Sequence, residues 1–270
     1  MAQYTLMKHQ AKAVKFLKKM DGVGALLFDP GVGKTGSTLA YLDSLADEQG
    51  EVRVLVVSPL AASDTWVLQP PFFMDSPVKA RMLQGSTRKI MAQIAQARDW
   101  ANVPDAKISA DVKGDPSKGV SGNRVTIISI TTGAVSSWCT DAESRASMVR
   151  AVRKYKPDVI IVDESHTIKS ATSNISIAMH SIGMVAPRRI ILTGTVTPNS
   201  PLDVYGQWRF LAPWTFSDRY NDPQVKNPTA LDERTRRSIR PWSWTTFKNR
   251  YALHGGYKSK QIVGYMNGKE

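Results

Sequence analysis

The sequence has 270 residues, 42% of them hydrophobic, which fits one large domain or one domain with an appendage. Its single cysteine, Cys139, excludes an internal disulfide framework and is typical of a reducing compartment. No apolar stretch approaches the ~20 residues that cross a bilayer, so we expect a cytoplasmic protein with no membrane partner. The net charge of +13 predicts attraction to a polyanion, nucleic acid before an anionic membrane, although a basic surface that only aids solubility fits equally well.

Residues 6–19 predict an amphipathic helix. Apolar residues form one stripe along it and lysines form another. Gln10 falls on the apolar side, which is unusual for a surface helix. Its amide could read the edge of an adenine, or it could hydrogen-bond to the backbone at the helix boundary.

An apolar run at residues 25–28 leads into a glycine-rich turn and then a helix-like segment. Such a strand, loop and helix direct backbone N–H groups into one concavity that suits a polyphosphate. Lys34 would reach the β- and γ-phosphates and Thr35 would bind Mg²⁺. Phe28 stands where the phosphate-loop pattern has its first glycine, which argues against the GTPase or kinase version. The predicted nucleotide-binding residues are Gln10, Pro30, Gly31, Val32, Gly33, Lys34, Thr35 and Gly36.

The rest of the chain alternates apolar strand-like runs with helix-like segments. This alternation predicts an α/β fold, a mostly parallel sheet with helices on both faces. The expected strands are 51–59, 79–83, 125–130, 157–163 and 188–195, and the expected helices are 61–68, 87–100 and 141–154. Prolines and glycines at residues 102–123 predict a mobile surface insertion.

Polar residues follow two of these strands. Asp163, Glu164 and His166 come after one strand, and Thr193 and Thr195 come after another. Chemistry in parallel sheets gathers at the carboxyl ends of strands. Asp163 suits the binding of Mg²⁺ and Glu164 the positioning or deprotonation of an attacking water. We expect His166 to relay the state of the site to the two threonines, although a histidine bonded to the backbone is the alternative.

Together these segments resemble the first RecA-like domain of superfamily 2 helicase-type ATPases, specifically the Swi/Snf-like branch. The similar segments are 6–10 (adenine reading), 31–35 (motif I), 54–59 with Trp66 (motif Ia), 163–166 (motif II, DExH form) and 192–199 (motif III). Val196 stands where the family usually has proline. The resemblance implies a RecA-like P-loop domain that uses ATP and Mg²⁺, with Lys34, Asp163, Glu164 and His166 catalytic and Thr193, Gly194 and Thr195 coupling. Ser58 and Pro59, in the segment like motif Ia, are candidate nucleic-acid contacts.

Residues 211–270 form a basic extension with eleven Lys or Arg against five Asp or Glu. Aromatic residues alternate with cations there, which suits either base stacking and phosphate contact or packing against another domain. The candidate nucleic-acid contacts in the extension are Arg237, Arg240, Lys248 and Arg250. A similar segment in phage and bacterial members comes shortly before their second RecA-like domain.

The resemblance therefore implies an ATP-binding domain over residues 1–210 and a helical extension over 211–270 that leads toward a second RecA-like domain. We expect this sequence to lack that second domain, and with it an arginine worth ~10³–10⁵ in rate. We expect the chain to bind ATP·Mg²⁺ and double-stranded DNA, to hydrolyse ATP weakly, and to need a separate chain that carries the second domain. In a phage-encoded protein the compartment would be the bacterial host cytoplasm. A non-enzymatic ATP-dependent binding module and a DNA-packaging motor ATPase are the alternatives.

Overall fold

The computed structural model describes residues 4–102, 124–218, 232–255 and 261–265. The insertion expected at residues 102–123 lies, apart from its first residue, outside the described residues. The main strands are β1 Val23–Leu26, β2 Val52–Ser58, β3 Val78–Met82, β4 Val125–Thr131, β5 Val159–Asp163 and β6 Arg188–Leu192. They form one parallel sheet in the order β1-β6-β5-β2-β4-β3. The predicted α/β fold with a parallel sheet is confirmed.

Helices cover both faces of this sheet. The longer ones are α1 Lys8–Lys19, α2 Lys34–Gln49, α6 Thr87–Gln96, α7 Thr132–Trp138, α8 Ala142–Tyr155, α9 Asn174–Gly183 and α10 Val204–Leu211. Three one-turn helices follow β2, namely α3 Leu60–Ser63, α4 Thr65–Leu68 and α5 Pro70–Phe73. Short 3₁₀ turns span Ala97–Asn102, Ser165–Ile168, Pro201–Asp203 and Pro213–Phe216. No described helix has both the length and the hydropathy needed to cross a membrane.

The sheet separates two hydrophobic cores, and β2 shows how its sequence builds both. Val54 and Val56 point to the core beneath α1 and α2, whereas Leu55 and Val57 point to the core beneath α6 to α10. Side chains alternate between the two faces of a strand, so a strand covered on both sides is apolar at most positions. This requirement explains why the central strands were recognisable from apolar runs such as 54–57 in β2 and 159–162 in β5.

Two predicted helices differ in the structure. The helix expected at 61–68 is divided into α3 and α4, and Pro70, which has no backbone N–H to donate, begins a separate turn. The helix expected at 87–100 ends as α6 at Gln96 and continues as a 3₁₀ turn.

The extension contains two helices, α11 Glu233–Ser238 and α12 Trp244–Tyr251, followed by an antiparallel hairpin. Its strands are β7 Ala252–Gly255 and β8 Gln261–Tyr265. Aromatic rings from α12 pack against Tyr205 of α10, and this third apolar group is called the extension cluster below. Its members are Ala171, Leu202, Tyr205, Phe216, Trp244, Phe247, Tyr251 and Ala252. The helical part of the extension was predicted, whereas the hairpin was not.

Candidate nucleotide-binding site

Three loops leave the sheet side by side at its carboxyl edge. Leu26 at the end of β1 pairs with Leu192 at the end of β6, and Leu192 pairs with Asp163 at the end of β5. Parallel strands in this register place the glycine-rich loop, the Asp163–His166 segment and the Thr193–Thr195 turn next to one another. These three segments make up what is called the strand-end site below.

The glycine-rich loop has the backbone conformation that its glycines permit. Gly31 has a φ of 80° and Gly33 a φ of 87°, a left-handed region that side chains disfavour. Gly33 is also pressed against the Gln10 side chain, because a Cβ there would lie 2.0 Å from Gln10 Nε2. Helix α2 begins directly after it, at Lys34. The loop therefore presents backbone N–H groups at a helix N-terminus, an arrangement that favours an anion.

Lys34 lies inside the loop rather than in solvent. Its Nζ donates hydrogen bonds to the carbonyl oxygens of Phe28 (2.9 Å) and Asp29 (3.3 Å), and the residue is 9% exposed. These carbonyls carry no net charge, so neither contact is an ion pair, and the ammonium can still attract an incoming anion. Thr35 follows at the half-buried second position of α2.

Helix α1 holds the other side of the loop. Gln10 is only 2% exposed, and its Oε1 accepts from the Met7 backbone N–H at 2.9 Å. His9 Nε2 lies 2.9 Å from the Val32 carbonyl oxygen, and because a carbonyl can only accept, His9 carries a proton on Nε2 in this contact. The role of His9 was not predicted from the sequence.

Asp163 is buried and held from two sides. Trp66 Nε1 donates to its Oδ2 at 2.9 Å, and the Glu164 backbone N–H donates to its Oδ1 at 2.9 Å. Burial raises the pKa of Asp163 above its usual value, and the Trp66 hydrogen bond partly offsets that rise. Trp66 thus orients this carboxylate, a role that the sequence analysis did not assign to it.

Glu164 and His166 lie together beside the Thr193 hydroxyl. His166 Nδ1 is 3.2 Å from Glu164 Oε2 and 3.4 Å from Thr193 Oγ1. A carboxylate can only accept, so the contact with Glu164 requires the proton on Nδ1. Thr193 Oγ1 in turn donates to the Thr195 carbonyl and accepts from the Thr195 N–H, both at 3.1 Å. The three predicted relay residues are therefore in one chain of polar contacts.

Gly194 joins this turn to the glycine-rich loop. A Cβ there would lie 3.0 Å from Pro30 Cδ and 3.3 Å from the Phe28 carbonyl oxygen. The close approach explains why a residue without a side chain stands between the two threonines. Gly36 has a similar role in α2, because a Cβ there would lie 2.5 Å from the Phe73 ring.

A cavity of about 720 Å³ opens between the loop and the Asp163–Glu164 segment. Every predicted nucleotide-binding residue lines it, whereas His166 and Thr193 do not. Its lining also includes the aromatic rings of Tyr4 and Phe73, which contact each other with ring centroids 4.7 Å apart. A basic glycine-rich loop and aromatic rings in one cavity suit a ligand that carries both phosphates and a base.

A further polar contact links the strand-end site to α10. Ser165 Oγ donates to Gln207 Oε1 at 2.7 Å, and Gln207 Nε2 donates to the Val196 carbonyl at 2.6 Å. Both side chains are fully buried. Nothing in the local sequence predicted this contact, since its partners are separated by 42 positions along the chain.

The candidate nucleic-acid residues differ in how far they are exposed. Ser58 is fully buried, and its hydroxyl lies 3.1 Å from Ser63 Oγ, so its side chain is not a surface contact here. Pro59 is half-buried. Arg240 and Arg250 are exposed, and Lys248 is half-buried. Arg237 lies in α11, with its side chain outside the described part of the chain.

Similarity to known proteins agrees with this geometry. The chain is 25% identical over 237 residues to the ATP-dependent helicase rhp16 of Schizosaccharomyces pombe, covering 80% of this chain and 25% of that protein. It is 44% identical over 68 residues to the DNA repair protein RAD5A of Arabidopsis thaliana, covering 24% of this chain and 6% of the relative. The chain therefore spans a quarter or less of the length of these relatives.

The fold is also found among solved structures. The SWI2/SNF2 ATPase core of Sulfolobus solfataricus, solved in complex with double-stranded DNA, superposes with a TM-score of 0.53 at 18% identity. The match covers 92% of this chain and 43% of that one. The sequence pattern of the SNF2-related domain matches residues 9–239. Because this match covers most of the chain, the protein belongs to the SNF2-related domain family.

Proposed function

We propose that this chain is the first RecA-like, ATP-binding part of a Swi/Snf-type DNA-dependent ATPase. The observation that carries the proposal is the meeting of Lys34, Asp163 and Glu164 around a cavity of about 720 Å³, with the Thr193 turn next to them at the same sheet edge. The ATP-binding part corresponds to residues 1–210, with 211–270 leading toward a second RecA-like domain. Residues 211 and 212, at the end of α10, still pack in the sheet's core.

The residues present fit an ATP·Mg²⁺ complex. The glycine-rich loop and Lys34 would hold the phosphates, and Thr35 and Asp163 would hold Mg²⁺, which neutralises charge on the phosphates when bound. Gln10 also lines the cavity, where its amide would meet the adenine. The donor set consists of a hydroxyl and a carboxylate, the oxygen ligands that Mg²⁺ prefers.

Glu164 lines the cavity beside Asp163, and we assign it to accept a proton from the attacking water. His166 Nδ1–H, at 3.2 Å, orients the Glu164 carboxylate. Thr193 contacts His166 and hydrogen-bonds to the Thr195 backbone. A shift of the Glu164 carboxylate would therefore move His166 and change the contacts of the Thr193–Thr195 turn. The arginine that stabilises the transition state in related enzymes would come from a second domain.

Mutation of the loop and of the base tests the ATPase proposal. We expect Lys34→Ala to weaken Mg·ATP binding about 10- to 100-fold, because it removes charge-assisted hydrogen bonds worth about 1.5–3 kcal/mol. We expect Glu164→Gln to retain binding and to slow hydrolysis about 10²- to 10⁴-fold. Calorimetric titration and a single-turnover assay, each with and without double-stranded DNA, measure both effects.

Lys19→Ala is the matched control, since Lys19 is an exposed lysine at the end of α1. Equal affinity of the Lys34→Ala and Lys19→Ala variants for Mg·ATP would contradict the proposal. Binding that is intact without any hydrolysis, alone or with a second RecA-like domain added in trans, would favour a non-enzymatic binding module instead.

Double-stranded DNA is the proposed polymer, supported by the net charge of +13 and by the DNA-bound Sulfolobus relative of the same fold. Arg240, Lys248 and Arg250 are the proposed phosphate-binding residues in the extension. Removing one cation that neutralises a phosphate should reduce the slope of log affinity against log salt by about 0.9. We expect that change for Lys248→Ala and none for Arg150→Ala, an exposed arginine on α8. A reduced slope for Arg150→Ala and an unchanged slope for Lys248→Ala would indicate that DNA binds at α8 instead of at the extension.

A further inference from the structure

Glu164 has a backbone conformation that its neighbours must maintain. Its φ of 49° and ψ of 58° lie in the left-handed region, and among the described residues only Asp21 and Lys156 share a positive φ without being glycine. Such a conformation costs on the order of 1–3 kcal/mol and persists only where surrounding contacts determine it. The direction of the Glu164 carboxylate therefore depends on how the next residue, Ser165, is held.

Ser165 is held by a buried amide whose orientation is fixed by its partners. Gln207 Nε2 faces the carbonyl oxygens of Val196 (2.6 Å) and Asp203 (3.1 Å), and carbonyls can only accept. Gln207 Oε1 must then face Ser165, whose hydroxyl donates to it at 2.7 Å. Both N–H groups of the amide donate and its oxygen accepts, so every polar atom of the amide has a partner.

The backbone of α10 is also pressed against the turn that follows Glu164. A Cβ on Gly206 would lie 2.1 Å from the Ile168 carbonyl oxygen and 2.7 Å from that of Lys169. Helix α10 therefore touches the Ser165–Ile168 turn through backbone as well as through Gln207. This contact leaves the turn little freedom to rotate.

We propose that Gln207 is a positioning residue that, through Ser165, holds Glu164 in its productive conformation and ties it to the Val196 loop. The inference rests on the proposed ATPase function, because Glu164 is the assigned base. It adds a second, buried link between the two strand ends beside the His166–Thr193 contact. That contact is longer, at 3.4 Å, and His166 is half-exposed, so the Gln207 link is the stronger constraint.

Two substitutions remove the link from opposite ends. Ser165→Ala removes the donor to Oε1 and leaves the bonds of Gln207 to Val196 and Asp203, whereas Gln207→Leu removes the whole network. We expect each to slow single-turnover ATP hydrolysis about 10- to 100-fold, since small misplacements of a catalytic group have effects of this size. We expect the Kd for Mg·ATP to stay within about twofold, because neither residue lines the cavity.

The double variant separates a shared role from two independent ones. Residues of one network give non-additive effects, so Ser165→Ala/Gln207→Leu should hydrolyse ATP no slower than Gln207→Leu alone. Ser165→Thr, which keeps the hydroxyl, should recover most of the rate. Gln93→Leu is the matched control, because Gln93 is a buried glutamine in α6 whose side-chain amide has no partner in the described residues.

The possible failures are distinguishable. If the wild-type chain binds Mg·ATP but does not hydrolyse it, either alone or with a second RecA-like domain added in trans, the proposed base role of Glu164 fails and this inference fails with it. If the wild-type chain hydrolyses ATP and Ser165→Ala, the milder variant, does so at the same rate, only the inference is overturned. The inference would also be overturned if the double variant lost as much activation free energy as the two single variants together. It would be overturned as well if Gln93→Leu slowed hydrolysis as much as they do.

Discussion

The strand-end site and the extension cluster are held together by different forces. In the strand-end site, directional hydrogen bonds join residues far apart in sequence, such as Trp66 to Asp163 and Ser165 to Gln207. In the extension cluster, aromatic rings such as Tyr205 and Phe247 contact each other with centroids 4.9 Å apart. Hydrogen bonds fix angles, whereas apolar packing mainly removes area from water. Substitutions in the strand-end site should therefore mainly reduce activity, whereas substitutions in the extension cluster should mainly reduce the free energy of unfolding.

Helix α10 belongs to both regions through three consecutive residues. Tyr205 packs on Phe247 and donates its hydroxyl to the Trp242 carbonyl at 2.6 Å. Gly206 touches the turn after Glu164, and Gln207 bonds Ser165. Consecutive helical residues point about 100° apart, so one turn of α10 can serve three surfaces. Substitutions in either region, or in α10 between them, therefore test whether activity and the free energy of unfolding can be changed independently.

The largest effect is expected from Gly206→Ala, which damages both regions at once. The added Cβ meets backbone carbonyl oxygens of Ile168 and Lys169, and backbone cannot move aside cheaply. We expect a decrease of about 4 kcal/mol or more in the free energy of unfolding, together with loss of ATP hydrolysis. Chemical denaturation monitored by circular dichroism measures the first and the single-turnover assay the second.

Gly133→Ala is the control for that substitution. Gly133 lies in α7, and a Cβ there would meet nothing within 4 Å. Alanine favours a helix over glycine by about 0.5–1 kcal/mol, so this variant should be slightly more stable than the wild type. Similar effects of the two substitutions would mean that α10 is not packed as tightly as described.

An intermediate effect is expected from Phe247→Ala, which affects the extension cluster alone. Phe247 is 3% exposed and contacts Tyr205, Phe216, Trp244 and Tyr251. Truncating a buried phenylalanine costs about 3–5 kcal/mol, and we expect increased hydrogen exchange in α12 with unchanged Mg·ATP affinity. Phe72→Ala, at a 48% exposed phenylalanine, should change neither. A large decrease of nucleotide affinity in Phe247→Ala would show that the two regions are not separable.

The smallest effect on stability, with a clear effect on binding, is expected from Trp66→Phe. The substitution keeps an aromatic ring in the core and removes the hydrogen bond to Asp163 Oδ2. Loss of a residue that orients a metal ligand costs about 10- to 100-fold in affinity, so Mg-dependent nucleotide binding should weaken by that factor. Trp138→Phe, at a tryptophan beside the other core, should leave it unchanged.

The pH dependence of Mg-dependent nucleotide binding is a second test of the role of Trp66. Burial raises the pKa of Asp163, and the Trp66 hydrogen bond lowers it in part. Mg²⁺ needs the deprotonated carboxylate, so affinity should fall as pH decreases toward that raised pKa. Removing the Trp66 hydrogen bond raises the pKa further, and in Trp66→Phe the fall should begin at a higher pH. A pH profile identical to that of the wild type would contradict the assigned role of Trp66.

Most of the sheet could be predicted from the sequence. The central strands β2, β4, β5 and β6 are apolar at most positions on both faces, and their runs of Val, Ile and Leu can be recognised despite buried polar residues such as Ser129 and Arg189. Helix α7 was missed because its sequence, TGAVSSW, is poor in helix formers, and its first turn is stabilised by the Thr131 side chain, which accepts from Ala134 N. The hairpin was missed because its strands, ALHG and QIVGY, are short and lack a regular alternation of apolar and polar residues.

The strand-end site could be predicted only where its residues are neighbours in sequence. The glycine-rich loop and the Asp163–His166 segment are local patterns whose chemistry can be read directly. Trp66 and Gln207 act across 97 and 42 positions, respectively, and no local rule connects them to their partners. Their roles follow from the topology of the sheet, which the sequence indicates only in outline.

The contacts of the Lys34 ammonium determine which substitutions the glycine-rich loop tolerates. It is held by the carbonyl oxygens of Phe28 and Asp29, which every amino acid supplies. Phe28 has no positive φ, so nothing in the chain path at that position requires glycine. A bulky residue can therefore replace the first glycine of the familiar pattern without disturbing the charge. Mutational libraries at the exposed position 29 should accordingly remain permissive, those at position 28 should favour apolar residues because Phe28 packs on the core, and those at Gly33 should not be permissive.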